Sequence, residues 1–326
     1  MAERRHRLFH ILGSHDHDHG VRYQDDADRS QEGMRATLVS LGGLGVTTIF
    51  QAILLLFTGS VALLSDTIHN LLDALTAIPL WIAFRLGRKG ANDRFSHGYH
   101  RAEDLAGLVI VVAIGASAVA VIWESARRMA EPRELRHIPW VIAAGVIGAL
   151  GNEFVARYRI HAGRQIGSEA LIADGYHART DAFTSLAVVV AGIGAAFGWN
   201  WMDPVAGLGV GLLILRVLVR TARPILGRLV DAVDPEMTAR ARAVAANVDG
   251  VHGISGLRLR WHGNRIVTSL SIEVDPEISV ADGHTIAEEV QHDLMHAFDV
   301  PLTAVVHVDP HGPTDPHTRT LHHRAG

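Results

Sequence analysis

Along the first two thirds of the chain, apolar residues gather into long runs instead of alternating or marking one face of short helices. Six runs stand out, at 37–57, 60–84, 105–123, 138–155, 171–197 and 205–222. A bilayer core of about 30 Å needs roughly 20 largely apolar residues in a helix, and each run meets or approaches that. The sixth contains Arg216 and Arg220 near its end, where long side chains reach the interface. The pattern predicts a polytopic α-helical membrane protein with six transmembrane helices.

Lysines and arginines in the short connections set the orientation. Arg85, Arg88, Lys89, Arg94 and Arg101 lie between the second and third runs. Arg157, Arg159 and Arg164 follow the fourth, and Arg223 and Arg228 follow the sixth. The first-to-second and fifth-to-sixth connections have none. Both termini are therefore expected in the cytoplasm. Arg127, Arg128, Arg133 and Arg136, between the third and fourth runs, go against the rule. No charged, apolar, small-residue leader precedes the first run, so no cleaved signal is expected.

From Asp231 the texture becomes that of a soluble domain. Asp234-Pro235 is a cap followed by proline at the first helical position, opening a helix to about Val248. Leu257, Leu259 and Trp261 alternate with Arg258 and Arg260, and Ile266 to Val274 alternates likewise after a His262-Gly263-Asn264 turn. That is a hairpin. A helix from Ser279 to Phe298 and a strand over 303–308 complete an α-β-β-α-β order, a small α+β, ferredoxin-like domain with its helices on one sheet face. The chain thus divides into a His/Asp-containing cytoplasmic tail (1–34), a transport domain (35–228), a cytoplasmic regulatory and dimerisation domain (229–310) and a flexible tail (311–326). Disorder is expected over 1–30, where residues 15–19 read HDHDH.

Composition sharpens the picture. Cysteine is absent, which removes disulfides, thiolate metal sites and cysteine nucleophiles together, whereas histidine numbers 21. A net charge of −4 leaves no chain-wide basic field for nucleic acid. From Asp231 onward 14 Asp and Glu face seven Arg and no Lys, so the domain attracts cations by its field alone.

The most informative feature is an internal repeat. Residues 65–76 read SDTIHNLLDALT and residues 173–184 read ADGYHARTDAFT, sharing D-x-x-H-x-x-x-D-A-x-T. On a helix, positions i and i+4 share a face about 5–6 Å apart, so His69 and Asp73 form one chelating pair and His177 and Asp181 another. Two facing pairs give two imidazoles and two carboxylates, the four N/O ligands that tetrahedral Zn²⁺ takes. Other divalent transition metals fit the set, whereas Mg²⁺ and Ca²⁺ prefer oxygen alone. An ionised carboxylate at mid-bilayer costs at least about 2.5–3.5 kcal/mol, so these residues are expected to be functional. Asp66 and Asp174, one turn before each His, are positioned to orient the imidazole or line the access route. Interhelical hydrogen-bond glue and a metal-free proton relay are the alternatives. Imidazole titrates near pH 6.5 and binds metal only when neutral, so competition with protons suggests metal/proton antiport.

With these residues in view, the chain resembles the cation diffusion facilitator family of divalent-metal transporters. The resemblance runs from about Arg35 to Pro310. It rests on the repeated ligand motif, on F-S-H-G-Y-H-R-A-E at 95–103, and on the C-terminal α-β-β-α-β domain ending V-V-H-V-D-P at 305–310. It implies six spans, a homodimer joined partly through the cytoplasmic domains, and proton-coupled export of metal from the cytoplasm. It also implies zinc as the ion that goes with two His and two Asp at 69, 73, 177 and 181. His284, His307 and Asp309 match a cytoplasmic zinc site of some members, while Ser255 and Ser271 stand where those members have His, leaving His252, His262 or His311 as substitutes. His97 and His100 are candidates for a peripheral loop site, with solvated histidines as the alternative. Zn²⁺ is expected as transported and regulatory ion, with no catalytic cofactor, in a bacterial inner membrane. Mn²⁺, Fe²⁺, Co²⁺, Ni²⁺ or Cd²⁺ as main ion is the nearest alternative. An intramembrane zinc enzyme needs an open metal position and a base, and no H-E-x-x-H occurs; a metal sensor needs no ligands in the spans.

Overall fold

The computed structural model describes residues 17–58, 77–130, 138–312 and 317. Helix α1 spans His17–Thr58, α2 Ala77–Gly87, α3 Arg101–Ala130, α4 Ile138–Ile166, α5 Glu169–Ala196 and α6 Met202–Leu229. Five of these are long and apolar enough to cross a bilayer, and α2 is the described end of the second apolar run. The expectation of disorder over 1–30 is corrected from His17 onward, because α1 begins there and carries its polar first turns directly into the first apolar run.

The bundle is apolar outside and polar at selected points inside. Val112, Leu150 and Leu212 are about two-thirds exposed on their helices, a surface suited to lipid and not to water. Arg216 and Arg220 are also exposed, as an interface-reaching role requires. Arg128 of α3 is held between Glu124, at 2.9 Å, and Asp203 of α6, at 2.8 Å, so part of the cationic third connection is neutralised by the fold.

Helix α5 is the most enclosed of the long helices, packed against α4, α6 and α3. Small residues bring it close to α4. A Cβ on Gly145 would meet Ser185 O at 2.9 Å, and one on Gly175 would meet Ile160 N at 3.0 Å and Ala156 O at 3.1 Å. The α4–α5 turn is set by Gly167 at φ +71°, followed by Ser168, whose hydroxyl accepts the Leu171 N–H at 3.1 Å and caps α5.

The C-terminal domain has helix α7 at Pro235–Ala246, strands β1 at Gly253–His262 and β2 at Arg265–Val274, helix α8 at Val280–His296 and strand β3 at Leu302–Pro310. Asp234 caps α7 and Ser279 caps α8, as the capping residues predict. The sheet order is β1-β2-β3, with β1 antiparallel and β3 parallel to β2. Leu259, Ile266, Leu270, Ile272 and Leu302 of the sheet form its core with Val290 and Leu294 of α8 and Ala241 and Ala245 of α7.

Candidate metal centres

His177 and Asp181 lie one turn apart on α5. His177 Nδ1 is 4.0 Å from Asp181 Oδ1, and both side chains are buried. Their backbone carbonyls accept hydroxyl hydrogen bonds from Thr180 (2.7 Å) and Thr184 (2.8 Å), which ties the last threonine of the repeat to the turn that carries the carboxylate. His69, Asp73 and Asp66 lie outside the described residues.

Asp174, one turn before His177, meets a residue that the apolar pattern places in a loop. Arg159 Nη1 of α4 lies 2.9 Å from Asp174 Oδ2, with both side chains essentially inaccessible to solvent. The signal for Arg159 was its position: it shares a helix face with Val155 and Gly163, four residues before and after, which pack inside the bundle. Arg179, two residues after His177, makes an ion pair with Glu153 of α4 at 3.0 Å.

The loop before α3 meets the C-terminal domain. His97 and His100 face His262 at the end of β1, with ring centroids 6.2 and 5.6 Å away. Burial pushes the His100 imidazole down, and burial followed by repulsion from His100 pushes His262 down to about 4, so His262 stays neutral near pH 7. His97 and His100 line a cavity of about 290 Å³ that Arg88, Lys89 and Arg265 also line, a cationic surround that opposes a second positive ion. The joint is completed by the β1–β2 turn. Gly263, at φ +65°, donates its N–H to Asp104 of α3 at 3.3 Å. Its carbonyl accepts from Arg228 of α6 at 3.2 Å, and the same guanidinium lies 4.0 Å over the Trp261 ring. A Cβ on Gly263 would meet His100 O, so glycine is required both for the turn and for this approach. Arg101 and Asp231, 2.6 Å apart, add a second link.

In the C-terminal domain, His307 Nε2 and Asp309 Oδ1 are 3.1 Å apart on β3. The structure adds His317, whose Nε2 is 3.2 Å from the same oxygen. His284 is on α8, 3.5 Å from Glu288, and shares with Asp309 the lining of a cavity of about 360 Å³. His292 and His296 continue its helix face with rings 4.5 Å apart, and the His284, His292 and Glu288 side chains are largely exposed. His311 pairs with Glu273 at 2.8 Å and stacks near His252, their rings 5.4 Å apart.

Comparison with known proteins agrees with this architecture. Residues 37–230 match the cation efflux transmembrane domain, and residues 233–311 match the cation efflux protein cytoplasmic domain. The chain belongs to the cation efflux, or cation diffusion facilitator, family. A probable cation efflux system protein of Mycobacterium tuberculosis is 44% identical over 308 residues, covering 94% of this chain and 93% of that one. The magnetosome protein MamB of Paramagnetospirillum magneticum is 29% identical, over 78% of this chain and 88% of its own. The manganese efflux system protein MneP of Bacillus subtilis is 25% identical, over 87% and 98% respectively. This cation efflux family member is thus a multi-pass membrane transporter with a cytoplasmic domain, and its family is one of transporters and not of enzymes.

Proposed function

We propose that this transporter exports Zn²⁺ from the cytoplasm in exchange for protons, through an intramembrane site of His69, Asp73, His177 and Asp181. The observation that carries the reading is the burial of His177 and Asp181, one turn apart, on the helix most enclosed by the bundle. The same D-x-x-H-x-x-x-D-A-x-T in residues 66–76 supplies a matching pair. Two imidazoles and two carboxylates meet the coordination that Zn²⁺ takes, and a proton on either imidazole competes with the ion. Asp174, anchored by Arg159, fixes the turn that presents His177 and is a positioning residue. The cytoplasmic domain joins two copies into a homodimer and binds regulatory metal through His307 and Asp309, with His284 contributing from α8. His97 and His100 act at the domain joint as packing partners of His262 and not as metal ligands, because Arg88, Lys89 and Arg265 surround them. Both termini are cytoplasmic, and the membrane is the inner membrane of a bacterium. Mn²⁺ as main ion is the second reading, favoured by the similarity to MneP.

The test is metal uptake into proteoliposomes under an imposed pH gradient, with Zn²⁺, Mn²⁺, Co²⁺ and Cd²⁺ in parallel and lumenal pH recorded. Zn²⁺ uptake that leads the ranking and moves protons the opposite way is expected. A ranking led by Mn²⁺ transfers the assignment to that ion, and uptake indifferent to the gradient removes antiport.

A further inference from the structure

The cytoplasmic ligands His307 and Asp309 sit on one strand, and the side chain that joins them comes from beyond the last strand. Strand β3 ends at Pro310, after which the His311 N–H still bonds Val274 O at 2.7 Å. Gly312, Pro313 and Pro316 then follow in the sequence, residues that oppose continuation of a ladder. Eight positions past Asp309, His317 is back beside it. Its Nε2 lies 3.2 Å from Asp309 Oδ1 and 3.4 Å from Oδ2, its ring is 5.6 Å from that of His307, and the two rings are inclined by 30°. Asp309 is almost fully enclosed, with 5% of its side chain accessible. One nitrogen from each imidazole and one carboxylate oxygen lie within 4.8 Å of one another.

We propose that His317 is the third ligand of a divalent-metal site with His307 and Asp309, assembled within a single chain, so that metal bound to the cytoplasmic domain pins the C-terminal tail against β3. This rests on the reading of His307 and Asp309 as cytoplasmic metal ligands given above. Two imidazoles and a carboxylate select a borderline ion such as Zn²⁺ or Co²⁺ over Mg²⁺ or Ca²⁺. Three protein ligands leave a fourth position for water or a donor from elsewhere, the arrangement of an exchangeable site and not of a closed structural one. Without metal, the same geometry is two imidazole N–H groups donating to Asp309, which places His317 beside β3. Metal replaces those two hydrogen bonds by coordination, which requires both imidazoles neutral and is reversed by acid.

The test uses the full-length protein in detergent, carrying Asp181→Ala to disable the membrane site, titrated with Zn²⁺ against a fluorescent chelator. His317→Ala, His317→Gln and Asp309→Ala are each compared with that background. His317→Gln keeps a hydrogen-bond donor for Asp309 but is a poor zinc ligand, so it separates coordination from simple docking. Tryptic cleavage after Arg319, with and without Zn²⁺, reports the tail directly. The proposal expects both His317 variants to weaken Zn²⁺ binding by at least about tenfold, and Zn²⁺ to slow cleavage in the background protein only. Unchanged affinity and protection in both His317 variants, with binding lost in Asp309→Ala, would overturn the tail ligand and leave the cytoplasmic site standing. Unchanged affinity in Asp309→Ala as well would overturn both.

Discussion

A buried charge needs a partner, and two such pairs define the chemistry of α5. Asp181 stands with His177, and Asp174, one turn before that histidine, stands with Arg159. Removing one member of a buried pair leaves an uncompensated charge at a cost of about 3–5 kcal/mol, whereas removing both is often tolerated. Arg159→Met should therefore lower the thermal stability of the detergent-solubilised protein strongly and impair transport, and Arg159→Met with Asp174→Asn should recover most of the stability. Unfolding curves for the two variants check this; a double variant no more stable than the single would show that the pair is not what holds the two helices. The i, i+4 spacing of His177 and Asp181 was legible in the sequence because helical periodicity alone places them on one face. The role of Arg159 was not, because a charge at the end of an apolar run reads as a loop residue until the partner helix is known. His317 was hidden for the same reason: its partners are eight and ten positions away, across residues that break a strand.

Helices α4 and α5 depend on contacts too close for larger side chains. Helix-interior Gly→Ala favours the helix itself by up to about 1 kcal/mol. At Gly175 the new methyl would press on the backbone of α4, at Ile160 N and Ala156 O, and overpacking costs about 1–3 kcal/mol. Gly175→Ala should therefore destabilise the bundle, while Gly209→Ala on α6, where nothing lies within 4 Å, should be neutral or mildly stabilising. Thermal unfolding of the two variants side by side measures the difference, and equal effects would remove the close-packing argument. Elements were the most legible level. Cap residues fixed the starts of α7 and α8, and period-two alternation fixed the β1–β2 hairpin. The start of α1 was not legible, since a polar, charged segment carries no periodic signal and is helical here as the continuation of an apolar span.

The β1–β2 turn is a main contact between the membrane bundle and the cytoplasmic domain, beside the Arg101–Asp231 ion pair and the bond from Arg29 of α1 to the Asp299 carbonyl. Gly263 donates to Asp104 of α3 and accepts from Arg228 of α6, and its neighbour His262 faces the loop histidines. Helix α3 packs on α5, and the helix that carries His177 and Asp181 is therefore one layer from the joint. The proposed cytoplasmic and intramembrane metal sites would thus act on connected elements while using different ligands. Transport is proposed to run through the α5 pair. It is tested most directly by the initial rate of Zn²⁺ uptake into proteoliposomes under a pH gradient, for the wild type, Asp181→Ala and Asp309→Ala at matched incorporation. Asp181→Ala is expected to fall to the rate of empty vesicles while Asp309→Ala still transports. Equal rates for the wild type and Asp181→Ala would contradict it.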